Sequence, residues 1–163
     1  MSESRVGIGF DQHAFASGAE RDRALVLGGV RFDDEPGLKG HSDADVVAHA
    51  VADAMLGAAA LGDLGAHFPD TDPRWRGADS LILLAEVRRL VADAGWRLGN
   101  ADCTVICEVP KISAARGIMM ERLSAAAGGR VHVKATRPEG LGSLGRVEGI
   151  ACLATALLEE VGR

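Results

Sequence analysis

Two short stretches carry residue types that do chemistry. In GFDQHAF, residues 9–15, an acid and an imidazole, Asp11 and His13, lie two apart among apolar neighbours, directly after a run that reads as a strand. A carboxylate in such surroundings is costly to bury unless something pairs with it. In HSDADVVAHAVAD, residues 41–53, Asp45, His49 and Asp53 fall at i, i+4 and i+8, one above another on a helix face. Asp11, His13 and His49 make a two-histidine, one-carboxylate metal set. Three protein ligands leave the open fourth position that catalytic zinc requires, and the absence of thiolates argues against a closed structural zinc. Asp45 or Asp53 could fix the tautomer of a ligating histidine from behind. Any one of these residues alone also suits a solvated face or a packed histidine. The joint pattern carries more, because the chain has only five histidines.

The elements that must position this set alternate between strand and helix. Val6, Ile8 and Phe10 alternate with Arg5, Gly7 and Gly9, a half-buried strand pattern. ALVLGGVRF reads as two short strands about a Gly28–Gly29 turn, and DEPGLKGHSDAD as a loop. A helix is predicted from about Asp45 to Leu61, closed by Gly62, then a long polar loop to Asp79 of the kind that is often functional. Ser80 begins a second amphipathic helix to about Ala94. ADCTVICEV is a strand stopped by Pro110, Ser113 to Ala127 a third helix, and RVHVKAT another strand. In the last segment, GIACLATALLEEV, the spacing of Ile150, Leu153 and Leu157 fits a helix, while its small residues suit a strand equally well. The alternation predicts an α/β or α+β layer rather than a bundle.

Composition narrows the classes. A chain of 163 residues without internal repeat or linker reads as one domain, residues 1–163, with enough length for a core. A formal charge of −5 argues against a nucleic-acid surface, although Lys134, Arg137 and Arg146 could form a local anion site. No signal-type segment or run long enough to span a membrane is present. Three cysteines, Cys103, Cys107 and Cys152, without a CxxC, fit a reducing compartment. A soluble, cytoplasmic protein without nucleic-acid or membrane partners is expected.

GFDQHAF, the block GHSDADVVAHAVADAMLGAAALGDLGAHFPDTDPRWRGADS, VPKI and VKAT…EGLGSLGRVEGIA, in this order over nearly the whole chain, resemble the 2-C-methyl-D-erythritol 2,4-cyclodiphosphate synthase family. The resemblance implies a mixed β-sheet packed by helices on one side, assembled as a homotrimer with active sites shared between subunits, and the last segment as a strand. It implies a lyase of the non-mevalonate isoprenoid pathway: 4-diphosphocytidyl-2-C-methyl-D-erythritol 2-phosphate closes to the 2,4-cyclodiphosphate and CMP leaves. Zinc, one per subunit, would be held by Asp11, His13 and His49. His41 and Ser42 would hold the 2-phosphate, Asp63 and Gly65 the ribose, and Asp70, with Phe68 nearby, the erythritol hydroxyls. Lys111, Ala135 and Thr136 would line the cytidine and diphosphate pocket. Glu139 would take a second metal, magnesium or manganese, bridging the phosphates. Ser42 also suits a helix cap, and Asp70 and Asp72 suit turn caps.

Two residues depart from the family pattern. Arg137, before Pro138, stands where a second Thr is common, and would bond the diphosphate through charge-assisted contacts or crowd the pocket. Ser143 stands where an aromatic residue lines a cavity on the trimer axis, leaving Arg146 as an anion site there. The reaction is a phosphoryl transfer within one molecule and needs no protein nucleophile. A metal-dependent phosphohydrolase, or a non-catalytic trimeric binding protein of the same fold, is the alternative.

Overall fold

The computed structural model describes residues 3–162. A four-stranded sheet is built from β1 (Ser4–Ala14), β4 (Trp96–Ile106), β5 (Arg130–Thr136) and β6 (Gly149–Glu160), in the order β1-β6-β4-β5. β6 pairs antiparallel with both β1 and β4, whereas β4 and β5 run parallel. The parallel pair requires a crossover, supplied by α4 (Arg116–Ala127), which ends at Gly128 in the left-handed conformation. β2 (Ala24–Leu27) and β3 (Val30–Pro36) form a separate hairpin whose turn, Gly28–Gly29, has positive φ at both positions, as a type I′ turn demands. The helices α1 (Val46–Ala58), α3 (Ser80–Asp93) and α4 cover one face of the sheet. Among the described residues no helix is long and apolar enough to cross a membrane.

α1 is apolar nearly all round, and eleven of its thirteen residues are buried, as expected of a helix enclosed between a sheet and other helices. Its contact with β1 reverses the expected sense of that strand. The buried side of β1 is Gly7 and Gly9; the apolar side, Val6, Ile8 and Phe10, is 72%, 66% and 54% exposed. The cause is close backbone approach. A Cβ at Gly7 or Gly9 would collide with the Ala54 or Ala50 carbonyl oxygen of α1, so only glycine lets the helix lie this low. The alternation correctly marks a strand, but its apolar side faces away from this chain's own core.

The final segment is strand β6, against the helical spacing of Ile150, Leu153 and Leu157. It lies between β1 and β4, where Ile150, Cys152, Ala154, Ala156 and Leu158 are buried on the helix side. The stretch expected as one long loop holds two short elements, α2 (Leu64–His67) and a 3-10 turn at Pro73–Trp75. Asp63 and Asp72 cap them by accepting from the Ala66 and Arg74 amides. All three cysteines are free and buried.

Candidate metal centre and active site

Asp11 and His13 lie on β1 and His49 on α1, so the low seating of the helix on Gly7 and Gly9 brings the three together. Asp11 Oδ2 lies 3.1 Å from His13 Nε2 and 3.0 Å from His49 Nδ1, and the three ligand atoms fall within 4.8 Å of one another. The outer ring nitrogens are held from behind. His13 Nδ1 donates to the Lys39 carbonyl at 2.7 Å. His49 Nε2 lies 2.8 Å from Ser80 Oγ and 3.2 Å from Ser42 Oγ. Ser80 Oγ donates in turn to Asp43, whose carboxylate also takes the Ser80 amide. Ser80 can therefore only accept from His49, which puts the proton on Nε2 and leaves Nδ1 a lone pair aimed at Asp11. With both outer nitrogens donating, two lone pairs and a carboxylate converge on one point, and the arrangement calls for a cation. Burial would raise the Asp11 carboxyl; when the two rings are protonated, so that their inner nitrogens also carry N–H groups, their hydrogen bonds and charge outweigh burial and hold Asp11 far below the usual carboxylate range. His13 is raised despite its burial, because the Asp11 carboxylate stabilises its protonated form.

Neither Asp45 nor Asp53 serves these histidines, contrary to the role their helical spacing suggests. Asp45 precedes α1 and caps it, accepting from the Val47 and Ala48 amides, and its carboxylate also takes the Gly28 and Gly29 amides of the hairpin turn. Burial pushes this carboxyl up to about 6 against those donors. Asp53 accepts from the Leu64 amide and fixes the start of α2. Both carboxylates are consumed in holding the loops that flank the metal set.

The metal set opens onto a cleft of about 640 Å³ whose lining includes His41, Ser42, Asp63, Gly65, Phe68 and Asp70. The 40–42 loop of this cleft is tied down by Arg23, which donates to the Gly40 and Ser42 carbonyls. His41 Nε2 donates to the Asp72 carbonyl at 3.0 Å, and Phe68 packs edge-on against Trp75 with ring centroids 5.1 Å apart. Ser42 Oγ faces inward, accepting from the Ala44 amide and touching His49 and Ser80.

The remaining expected residues lie elsewhere. Lys111, Ala135, Thr136 and Arg137 line a second cavity of about 560 Å³, formed where β4 and β5 end. β1 and β5 are opposite edges of the sheet, separated by three strand spacings or about 14 Å. Glu139 and Arg146 line neither cavity. Arg146 is paired with Glu148 at 2.7 Å, and Arg137 is paired with Glu108. Arg137 thus lines the second cavity with its guanidinium held by a carboxylate of the same chain.

Asp43, Ser80, Arg23 and Glu108 were not singled out by sequence reasoning. Asp43 lies within the HSDAD stretch, but nothing in the spacing ties it to Ser80, 37 positions away. Their contact follows from the docking of the α3 N-terminus on the loop before α1, where the Asp43 amide also bonds the Ala78 carbonyl.

A family model described as "YgbB family" matches residues 4–159. The chain is similar to the 2-C-methyl-D-erythritol 2,4-cyclodiphosphate synthase of Rubrobacter xylanophilus, 57% identical over 98% of this chain and 97% of that protein. It is also similar to the enzyme of the same name from Alcanivorax borkumensis, 54% identical over 98% and 99%. Among solved structures it resembles the CDP complex of IspF from Plasmodium falciparum, with a TM-score of 0.82, 31% identity, and coverage of 98% of this chain and 97% of that one.

Proposed function

The chain belongs to the YgbB family, and we propose that it closes 4-diphosphocytidyl-2-C-methyl-D-erythritol 2-phosphate to the 2,4-cyclodiphosphate with release of CMP. The observation that carries this reading is the convergence of Asp11, His13 and His49 on one point of a cleft lined by His41, Asp63 and Asp70. The donor set suits zinc: one carboxylate and two imidazoles, with each outer nitrogen hydrogen-bonded and no thiolate. When bound, the ion supplies positive charge against the substrate's phosphates.

The remaining work is orientation. His41 and the 40–42 loop hold the 2-phosphate, Asp70 the erythritol hydroxyls, and Asp63 with Gly65 the ribose. Lys111, Ala135 and Thr136 hold the cytidine and diphosphate, and Glu139 takes the second divalent ion, magnesium or manganese. An ionised 2-phosphate oxygen attacks the β-phosphorus; the bond from that phosphorus to the bridging oxygen breaks, and its electrons leave on CMP. The nucleophile is already deprotonated near neutral pH, so no general base is required. Alignment of the two reacting groups can supply up to about 7–11 kcal/mol of the barrier, and the donors around the phosphates stabilise their charge.

The two cavities at opposite edges of one sheet favour a site assembled from two subunits. The sheet face away from the helices supplies the surface for assembly: Val6, Ile8, Phe10 and Leu153 are exposed along it. In the register of the sheet, Phe10 stands opposite Leu153 and Val6 opposite Leu157, giving a contiguous apolar strip of the kind that marks an interface. A cyclic homotrimer buries that strip at three equivalent contacts and brings the metal cleft of one chain to the second cavity of the next.

Incubation of the purified protein with the diphosphocytidyl substrate, followed by phosphorus NMR of the products, tests the function. The expected products are a cyclic diphosphate and CMP. A linear phosphate would mark a phosphohydrolase, and unchanged substrate a binding protein.

A further inference from the structure

We propose that Glu108 is a positioning residue, its carboxylate clamping the loop that follows β5 through Arg137 and the Gly140 amide, and so fixing Glu139 beside the second cavity. The proposal deepens the function above and rests on it. β4 and β5 pair in parallel up to Ile106 and Thr136, and one further backbone bond joins the Cys107 amide to the Thr136 carbonyl at 3.3 Å. Glu108 stands just past that bond. Its side chain is only 11% exposed, and both of its oxygens are used. Oε2 accepts from Arg137 Nε at 2.9 Å and lies 2.8 Å from a second guanidinium nitrogen in an ion pair, while Oε1 accepts from the Gly140 amide at 2.8 Å.

The two anchor points bracket Pro138 and Glu139. Glu139 has φ +53° and Gly140 +75°, and the Leu141 amide returns to the Pro138 carbonyl at 3.0 Å. A left-handed backbone at a residue with a Cβ persists where the surroundings hold it. Here the surroundings are the Glu108 carboxylate. Both partners hold this carboxyl below the usual range, the Gly140 amide first and the Arg137 guanidinium second, so the clamp is charged at neutral pH. Arg137 acts through Glu108, and its place in the second cavity is that of a tie between two walls.

The test compares wild type with Glu108→Ala, Glu108→Gln, Arg137→Thr and the double variant Glu108→Ala/Arg137→Thr. Two quantities are read: hydrogen exchange of the 137–141 segment, and CDP affinity by calorimetry with and without Mn²⁺. Glu108→Ala is expected to speed exchange at Gly140 at least about 10-fold and to weaken CDP binding by about 10-fold with Mn²⁺ but little without it. Glu108→Gln keeps an acceptor for the Gly140 amide and should restore much of both. The double variant should be no worse than Glu108→Ala, because both changes break one device. Unchanged exchange in Glu108→Ala would overturn the clamp. Faster exchange with unaltered CDP affinity would overturn its positioning role. Additive losses in the double variant would return Arg137 to direct contact with the diphosphate. A wild type that binds no CDP would refute the functional reading and the positioning role with it, while the exchange data alone would still decide whether the clamp exists.

Discussion

Gly9→Ala adds one methyl group and should damage both the fold and the metal centre. The new Cβ would overlap the Ala50 carbonyl oxygen and lie 2.7 Å from the Ala54 amide nitrogen, where ordinary contact begins at 3.4 Å. Both obstacles are backbone atoms of α1, which is buried and has no side-chain freedom to yield. To clear the Ala54 nitrogen alone, the helix must retreat from β1 by about 0.7 Å in a core already packed to crystal-like density. Overpacking of this kind costs about 1–3 kcal/mol, and the rigid partners place it at the upper end. For a chain of this length that lowers the melting temperature by roughly 6–12 °C. The same retreat carries His49 away from Asp11, now 3.0 Å apart, by several times the roughly 0.2 Å tolerance of a metal–ligand distance. Thermal unfolding followed by circular dichroism and zinc affinity by chelator competition would read the two effects. Gly57→Ala is the control: its Cβ would meet only the Ile8 carbonyl oxygen at 3.9 Å, so the variant should gain about 0.5–1 kcal/mol from helix propensity. If Gly9→Ala melts with wild type and keeps its zinc affinity, glycine does not set the height of α1.

Three further outcomes follow from the same geometry. Ser80→Ala removes the acceptor of the His49 Nε2 proton and the link to Asp43, so zinc affinity should fall about 10–100-fold with little loss of fold; unchanged affinity in a competition titration would mean that the hydroxyl does not orient the ring. Ile8→Asp puts a charge on the apolar strip and should convert a trimer to monomers in light scattering, whereas an unchanged mass would place the interface elsewhere. In chelator-stripped protein the His13–Asp11 ion pair stabilises the fold only while His13 is protonated. Because folding raises the His13 value above 6.5, that contribution is complete below pH 6.5 and is lost as pH rises through the raised value. The melting temperature of stripped protein should therefore drop on the alkaline side relative to that of zinc-loaded protein, and parallel pH profiles would contradict the pairing.

What could be read from the sequence was whatever depends on near neighbours or on a motif. The short spacing of Asp11 and His13, the helical register of His49, and the glycine turn at 28–29 are local, and the structure carries them as written. The partner of Asp45 was illegible because periodicity places a side chain on a face without naming what covers it. Asp45 caps its own helix and holds the hairpin turn, while Ser80 and Asp43 arrive from loops far apart in the chain. β1 was legible as a strand but not in its sense, since close helix approach at Gly7 and Gly9 turned the apolar side outward. β6 stayed open by periodicity for a related reason: with small residues packed between two strands, Ile150, Leu153 and Leu157 match a helical period by accident of spacing, whereas Leu153 lies on the open face and Ile150 on the buried one. Glu108 gave no local signal, because its two partners lie 29 and 32 positions away.

In the proposed assembly each active site joins the metal cleft of one chain to the second cavity of another. Co-expression of His49→Ala with Glu139→Ala, each carrying a different tag, tests it through the turnover of doubly purified mixed trimers. Each variant alone should be inactive, one lacking a zinc ligand and the other the second-metal carboxylate. In mixed rings a site is whole only where the zinc side comes from the Glu139→Ala chain and the Glu139 side from the His49→Ala chain, and every mixed trimer, two-to-one or one-to-two, has one such junction, so about a third of its sites are whole. Activity recovered near that fraction of wild type is the predicted result; mixed trimers no more active than the separate variants would contradict the shared site.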